Sequence, residues 1–379
     1  MKEAVIVGAV RTPIGKRGGA LCEMRPDDLA AMVLSEAVKR SKVPPMQIED
    51  VILGCNTQEG EQSLNIARLA SLIAGFPETI AGTTVDRQCG SGQQAVNFAA
   101  QAIMSGSGDL MIAGGVESMT RVPLAMDMSV LNKALFARFN LVPQGISAEK
   151  VASKYGISRI RLDEYSLESH LRAISATDKG LLAEEIMPVQ VPNEEGIQVP
   201  FEIDECPRRD TSFERLSALK PVFTSGGKIT AGNSSGIADG TAAVVISSRE
   251  KAEELGVRSR ARIVSTAVAG VDPVVMLDGT IPAAKKALQR AGLTVQDIDL
   301  WEVNEAFAPV PIATAETLGI DCERMNVNGG AIALGHPLGC SGARLITTLV
   351  HEMERRNVRY GLSTLCIGFG QGIATIIER

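Results

Sequence analysis

The feature that most limits what this chain can fold into is an ordered internal echo. Val51-Ile52-Leu53-Gly54-Cys55-Asn56 is echoed by Asp299-Leu300-Trp301-Glu302-Val303-Asn304. Cys89-Gly90-Ser91-Gly92-Gln93 is echoed by Gly339-Cys340-Ser341-Gly342-Ala343, and the glycine-ended apolar run at 110–115 by the one at 361–368. Each pair is separated by roughly 250 residues, far beyond the ~20–50-residue period of a solenoid. Three features repeated in the same order point to a duplicated domain. Within each copy, short buried strands alternate with helical stretches, which argues for sheets with right-handed crossovers covered by helices.

The units are legible one by one. A first strand starts at Ala4, and a helix over Pro26–Ser41 carries Leu29, Met32, Val33, Ala37 and Val38 at helical spacing. Strands are predicted at 50–56, 83–86, 109–116, 239–247, 299–304 and 361–368, and helices at 65–74 and 278–291, with further helices opening after Cys89 and at Gly339. Between 118 and 234 charged and proline-containing segments interrupt the pattern. Helices are expected there at 147–155 and at 161–180, the latter opening near Asp163 with acids in its first turn. This region reads as an insertion that covers a site. With 45% apolar but only 3% aromatic residues, the core must be built from small aliphatic side chains in closely packed helix-on-sheet layers.

Several function classes are disfavoured by the totals. A net charge of −6 gives no reason to expect nucleic acid. No apolar window of about eighteen residues is present, so no membrane span is expected. The N-terminal stretch reads as a strand and not a signal peptide, which points to the cytoplasm. Seven cysteines without a Cys-x-x-Cys spacing, and three histidines, support neither a disulfide framework nor a metal site.

Four residues carry unusual chemistry. Cys89 sits among glycines at the start of a helix, where unpaired N–H groups and the helix dipole lower a thiol's pKa; read alone, it is equally a small core residue under a tight turn. His336 in Gly335-His336-Pro337, Cys366 in Cys366-Ile367-Gly368 and Asn304 in Asn304-Glu305-Ala306-Phe307 each follow or end a strand beside glycines, where open sheets gather ligands. Alone, these are a hydrogen-bonded structural histidine, a core thiol and a turn residue.

Together the segments resemble the thiolase family over essentially the whole chain. Arg11-Thr12-Pro13, Cys89-Gly90-Ser91-Gly92, Gly114-Gly115-Val116-Glu117-Ser118-Met119, Thr230-Ala231-Gly232-Asn233-Ser234-Ser235-Gly236, Asn304-Glu305-Ala306-Phe307 and Gly335-His336-Pro337 occur in family order. The resemblance implies an α/β thiolase fold: two similar βαβαβαββ halves in a five-layered α-β-α-β-α core, with an inserted loop domain. On this chain the first half is expected at 1–118 plus 235–258, the loop domain over the coenzyme A site at 119–234, and the second half at 259–379.

It also implies an acyltransferase working by a ping-pong cysteine mechanism. Cys89 is the expected nucleophile and His336 the base that helps keep it as thiolate. Cys366 exchanges a proton with the α-carbon of acetyl-CoA or with the departing sulfur. His336 points an N–H at the thioester oxygen together with a water on Asn304. The backbone N–H groups of Cys89 and Gly368 form a second oxyanion hole, and such donors supply about 3–4 kcal/mol each. Coenzyme A and acyl-CoA are the expected partners, with no prosthetic group and no metal. By resemblance Ser235 approaches the pantetheine and Arg208 the adenine end, in a basic cluster with Arg209, Arg215 and Lys220; a solvated basic loop explains the same charges. Met276 and Phe307 read as acyl-pocket or core residues alike.

The chain departs from the family pattern in three places. Pro143-Gln144-Gly145 stands where many thiolases have His-Met-Gly, at the substrate site. The segment 121–141 is about a dozen residues shorter than in tetrameric acetoacetyl-CoA thiolases, favouring a homodimer over a homotetramer. Phe369 stands where a third glycine is common, and no loss of activity is expected from it. The altered loop argues for thiolytic cleavage of 3-ketoacyl-CoA, as in fatty-acid degradation, over the two-carbon acetyl-CoA C-acetyltransferase reaction. A related Cys-His-Asn ketoacyl synthase would not need Cys366, and a silent acyl-CoA-binding scaffold would be marked by loss of Cys89, His336 or Cys366.

Overall fold

The computed structural model describes residues 2–124, 131–193 and 195–379; part of the shortened 121–141 segment therefore lies outside the described residues. The chain opens with strand β1 (Ala4–Arg11), the short β2 (Gly15–Lys16) and helix α1 (Pro26–Ser41), then β3 (Asp50–Gly54), α2 (Ile66–Ile73), β4 (Ala81–Val85), α3 (Ser91–Ser105) and β5 (Leu110–Ser118). The sequence signals at α1 all act in one direction. Pro26 sits at the first helical position, Asp27 and Asp28 face the positive end, Lys39 and Arg40 the negative end, and Lys42 closes the helix in the left-handed conformation.

An excursion follows: α4 (Lys133–Arg138), α5 (Gln144–Lys154), α6 (Arg159–Asp178), the hairpin β6 (Val189–Pro192) and β7 (Gln198–Phe201), and α7 (Phe213–Ser217). The chain then returns to the core as β8 (Ala238–Ser248) and α8 (Arg249–Glu254). The second half is β9 (Ala261–Gly270), α9 (Thr280–Ala291), β10 (Leu300–Val303), α10 (Pro309–Leu318), α11 (Ala331–Leu334), α12 (Leu338–Arg356), β11 (Tyr360–Ile367) and β12 (Gln371–Glu378).

The strands lie in the order β10-β11-β12-β9-β1-β8-β5-β3-β4, with β2 paired to β8. The order is one pattern written twice. In the first half β3 is parallel to β4 and β5, and β5 pairs antiparallel with β8, which pairs antiparallel with β1. In the second half β10 is parallel to β11, β11 antiparallel to β12, and β12 antiparallel to β9. The counterpart of β4 has shrunk to a single parallel bridge, Trp301 to Met325. Among the described residues the two half-sheets pair where β1 meets β9, at Val5 with Arg262 and Ile6 with Ala261.

Helices α3 and α12 lie between the half-sheets and bury Ala95, Ala99, Ile103, Ile346, Leu349 and Met353 with residues of both. Helices α1 and α2 cover the outer face of the first half-sheet, and α9 that of the second, around Trp301. The result is the five-layered α-β-α-β-α arrangement. Each large aliphatic side chain withdrawn from water contributes about 1.5–3 kcal/mol, and alanine on α3 and α12 lets the middle layer be thin.

Three expectations need correction. Helix α6 begins at Arg159, where the Ser158 side chain accepts from the Arg161 N–H, and has no acid in its first turn; Asp163 instead accepts from Arg159 Nε at 2.7 Å and from Asn233 Nδ2 at 3.0 Å. Helix α5 starts at Gln144, a turn earlier than the apolar periodicity indicates. Strands β9 and β12 were not singled out in the sequence: β9 alternates buried and half-buried positions, and β12 follows a glycine-rich loop.

Candidate active site

The site forms where the N-termini of α3 and α12 meet in the middle layer. Gly92 on α3 faces the Gly339 carbonyl, and Gly342 on α12 faces the Gln93 backbone. A side chain at either glycine would strike backbone that cannot give way. The duplicated glycine motif is thus the mutual contact of two helix starts, and it fixes the segments carrying Cys89 and His336 against each other.

Cys89 lies two residues before α3, in a turn with Gln88 in the left-handed region at φ 46°. Ser91 locks this turn, its hydroxyl accepting from the Arg87 N–H at 2.8 Å and donating to the Gln88 carbonyl at 2.6 Å. The Cys89 side chain is only 3% exposed and packs against Met119 and Leu338, two residues beyond His336. The Gly368 N–H, its own backbone N–H and the Gln144 side chain lie near the sulfur and favour its thiolate. The backbone N–H groups of Cys89 and Gly368 thus both lie next to the thiol. The thiol's pKa moves against the helix-end expectation: burial outweighs these donors and pushes it up to about 11.

His336 follows Gly335, whose φ of 91° lies where glycine is favoured, and its N–H donates to the Gly236 carbonyl at 3.0 Å. Its tautomer is assigned from the hydrogen-bond network. Ser341 Oγ gives its proton to the Pro337 carbonyl at 2.8 Å, so toward the imidazole it accepts, from Nδ1–H at 2.6 Å. Nε2 is then the bare nitrogen, 3.2 Å from Asn304 Nδ2, which donates to it. Burial, with Arg344 nearby, holds the imidazole neutral and lowers its pKa to about 3. Asn304 directly follows β10 and is anchored by its N–H on the Thr364 carbonyl at 3.0 Å. Its Oδ1 is buried without a hydrogen-bond partner among the described residues, which suits a group that binds water or substrate.

Cys366 is the penultimate residue of β11, opposite Gly372 of β12. Burial and the neighbouring Cys89 push its thiol well above its ordinary value. Met276 and Phe307 pack in the same buried cluster as Cys366, and Phe307 meets Phe223 edge-on with ring centroids 6.0 Å apart. Both are core walls of the reacting centre.

Two buried carboxylates brace the site, and the sequence reading gave them no role. Glu117 accepts from the N–H groups of Asn56 at 2.8 Å, Thr57 at 3.1 Å and Gly339 at 2.8 Å, and from Gln62 Nε2 at 2.8 Å. It thereby ties the ends of β3 and β5 to the start of α12. Glu305, beside Asn304, accepts from Tyr165 Oη, Ser169 Oγ, Asn326 Nδ2 and the Ile332 N–H at 2.7–3.0 Å, joining α6 to the second half. Their only signal in the sequence is an acid at the end of an apolar strand. Arg11 does comparable work at the insertion: fully buried, it pairs bidentately with Asp204 at 2.7 and 2.9 Å and with Glu185 at 2.7 Å.

A cavity of about 830 Å³ opens beside the segment that carries His336. Arg17, Arg208 and Arg215 line it, and Gly236, whose carbonyl holds His336, lies in its wall. The Arg208 N–H donates to His170 Nδ1, another lining residue, at 3.2 Å. Ser235 sits between two lining residues, Ser234 and Gly236, without lining the cavity itself. Arg209 does not belong to this wall: it pairs with Asp178 on the surface. Lys220 is not a lining residue either, whereas Lys16 and Arg17, brought in by β2, are. Arg215 is partly spoken for by Asp210.

Comparison with known proteins matches the thiolase N-terminal domain model over residues 4–250 and the thiolase C-terminal domain model over 257–379. The chain belongs to the thiolase family. It is 46% identical over 400 residues to the 3-oxoadipyl-CoA/3-oxo-5,6-dehydrosuberyl-CoA thiolase of Escherichia coli K12, covering all of both chains. The 3-ketoacyl-CoA thiolase of Bacillus subtilis is 46% identical over 391 residues, again with full coverage of both. Among solved structures, the acetyl-CoA acetyltransferase of Bacillus anthracis superposes with a TM-score of 0.93 at 42% identity, covering 100% of this chain and 99% of that one. Human mitochondrial 3-ketoacyl-CoA thiolase gives 0.93 at 38% identity, covering 100% and 98%. This thiolase is accordingly an acyltransferase.

Proposed function

We propose that this thiolase cleaves 3-ketoacyl-CoA with free coenzyme A, giving acetyl-CoA and a shortened acyl-CoA. The observation that carries the reading is the pairing of two neighbouring thiols, Cys89 and Cys366, with His336 and Asn304 in hydrogen-bond contact on adjoining segments; a cavity lined by Arg17, Arg208 and Arg215 opens at Gly236, whose carbonyl holds the His336 backbone. Full-length relatives named for 3-ketoacyl-CoA cleavage support the substrate class.

In the resting site Cys89 is a thiol and His336 a neutral base whose Nε2 exchanges its contact with Asn304 Nδ2 for the Cys89 proton. Transfer of the Cys89 proton to Nε2 creates opposite charges that support each other in the buried site. The thiolate attacks the 3-keto carbon, and the alkoxide formed takes up the N–H groups of Cys89 and Gly368. The C2–C3 bond then breaks, leaving the acyl group on Cys89 and the enolate of acetyl-CoA. His336 Nε2–H and a water on Asn304 hold the enolate oxygen, and Cys366 gives its proton to C2. After acetyl-CoA departs, the Cys366 thiolate takes the proton of incoming coenzyme A. The new thiolate attacks acyl-Cys89 and releases acyl-CoA. Arg208, with Arg17, holds the phosphates, and Ser235 lies along the pantetheine.

The same reading divides the chain at 1–118 plus 235–258, 119–234 and 259–379. It takes the protein to be cytoplasmic; no helix among the described residues is long and apolar enough to cross a membrane. It also takes the protein to be a homodimer, formed along β4. That strand ends the sheet, its outer backbone edge is open to pairing, and Leu64 and Ile73 in the neighbouring segment are 84% and 49% exposed. Thiolysis of a 3-ketoacyl-CoA series from about four to sixteen carbons, with Cys89→Ala as control, tests the substrate reading. Cys89-dependent turnover persisting on long chains supports it. Activity that stops beyond four carbons makes the protein an acetoacetyl-CoA thiolase.

A further inference from the structure

The buried face of α12 carries a row of polar contacts, and one of them is an ion pair. Ser341, Arg344, Thr348 and Glu352 follow one another at helical spacing and are all buried. Ser341 accepts from His336 Nδ1–H at 2.6 Å, Thr348 donates to Glu185 at 3.0 Å, and Glu352 accepts from Asn328 Nδ2 at 2.8 Å. Arg344 Nη1 donates to Glu302 Oε2 at 3.3 Å, with the two side chains 2% and 4% exposed.

Glu302 and Asn304 stand two residues apart at the end of β10, where alternation puts both side chains on one face. From that face Asn304 reaches His336 at 3.2 Å, and Glu302 reaches Arg344. The two contacts are neighbouring rungs between the same strand and the start of the same helix. Three helical residues or two strand residues separate the rungs, about 5–7 Å. A guanidinium that close bears on any charge the imidazole takes up. At an effective dielectric constant of about 20, a unit charge at this distance shifts an ionisation by about tenfold.

Stability alone is a poor explanation of the pair. Arg344 Nη2 is buried without a hydrogen-bond partner among the described residues. An ion pair withdrawn this fully from water is often no more stabilising than apolar residues of the same volume. Arg344 from α12, Glu185 from the excursion and Glu305 from the loop after β10 face Glu302; burial pushes its carboxyl up to about 8, against the pull of Arg344. Glu185 is already matched by Arg11, and Glu305 by four neutral donors. Glu302 is thus the carboxylate placed to answer Arg344.

We propose that Glu302 and Arg344 are positioning residues that act through His336: the Glu302 carboxylate cancels the Arg344 charge, so that the imidazole can take up the Cys89 proton. With Glu302 neutral, the Arg344 cation opposes the imidazolium and fewer Cys89 side chains ionise. The inference rests on the reading of Cys89 as the nucleophile and His336 as its base.

The experiment is the rate of iodoacetamide alkylation of Cys89 in the full-length protein, read by mass spectrometry of the Cys89 peptide, with thermal melting of every variant. It is run at about pH 9, above the pKa to which burial raises Glu302. Glu302→Gln keeps the shape and loses the charge, and is expected to slow alkylation about tenfold. Glu302→Asp keeps the charge on a shorter side chain and is expected to react faster than Glu302→Gln. The double variant Glu302→Gln/Arg344→Met removes both charges and is expected to return to within about threefold of wild type. A pair that serves shape alone gives the reverse order, with Gln ahead of Asp and the double variant slowest. That order, or a folded Glu302→Gln within about twofold of wild type, would overturn the proposal. Should the double variant fail to melt cooperatively, the order of Gln and Asp decides. His336→Asn separates the proposal from the reading beneath it. If His336→Asn slows alkylation and Glu302→Gln does not, the proposal fails and the base reading stands; if His336→Asn leaves alkylation unchanged, the base reading fails and takes the proposal with it.

Discussion

Removing the Ser341 hydroxyl isolates the tautomer on which the proposed chemistry turns. Ser341 spends its own proton on the Pro337 carbonyl, so its interaction with His336 at 2.6 Å requires a proton on Nδ1 and leaves Nε2 bare. In Ser341→Ala the Nδ1–H points into a buried gap. A buried donor left without a partner costs about 1–3 kcal/mol. The alternative, a proton on Nε2 and a bare Nδ1, loses less: it leaves no unpaired donor at the gap, and the Asn304 amide can turn its unpartnered Oδ1 to accept from Nε2–H. The competent tautomer then falls to roughly one part in 5 to one part in 150, since each ~1.4 kcal/mol is tenfold. The expected result is a kcat for thiolysis lowered about 5- to 150-fold, with KM little changed because the cavity arginines are untouched. Steady-state kinetics over a range of pH, on protein shown to be folded by its melting curve, make the measurement. A kcat within twofold of wild type would refute the assignment of Nε2 as the proton acceptor.

Two further outcomes follow from other parts of the structure. Arg11→Met leaves Asp204 and Glu185 buried without their cation and is expected to cost about 3–5 kcal/mol of stability, read as a lower midpoint in denaturant; Arg11→Lys should recover only part of this, since an ammonium cannot make the paired contact with Asp204. Because burial lowers His336 to about 3 and His170 to about 4, the unfolded chain binds protons that the native state refuses. Stability should therefore fall as the pH drops from about 6.5 toward 3, and His336→Asn should flatten that fall in denaturation curves taken across the window.

The duplication was readable because both halves use the same local grammar: an apolar strand ending in glycine, then a helix beginning at a small residue. That pattern is set by backbone contacts such as Gly92 on Gly339, which tolerate no other side chain. The pattern also located α1 and the strands that deliver Asn304 and Cys366. What it did not reveal depends on contacts between distant parts of the chain. Glu117 and Glu305 gain meaning only when strand ends and helix starts from separate segments meet around them. The cavity cations were misread for the same reason: Arg209 lies next to Arg208 in sequence but turns to Asp178, while Arg17 arrives from β2. The direction of the Cys89 shift was missed because a helix end is visible in sequence and the depth of burial is not.

The central claim is that the acyl group is carried on Cys89 while Cys366 moves protons. The most direct test is to mix the full-length enzyme with a medium-chain acyl-CoA in the absence of free coenzyme A, quench in acid, and map the acyl group by peptide mass spectrometry. The account predicts the mass of the acyl group on the Cys89 peptide and none on the Cys366 peptide. Acylation of Cys366 with Cys89 unmodified would contradict it.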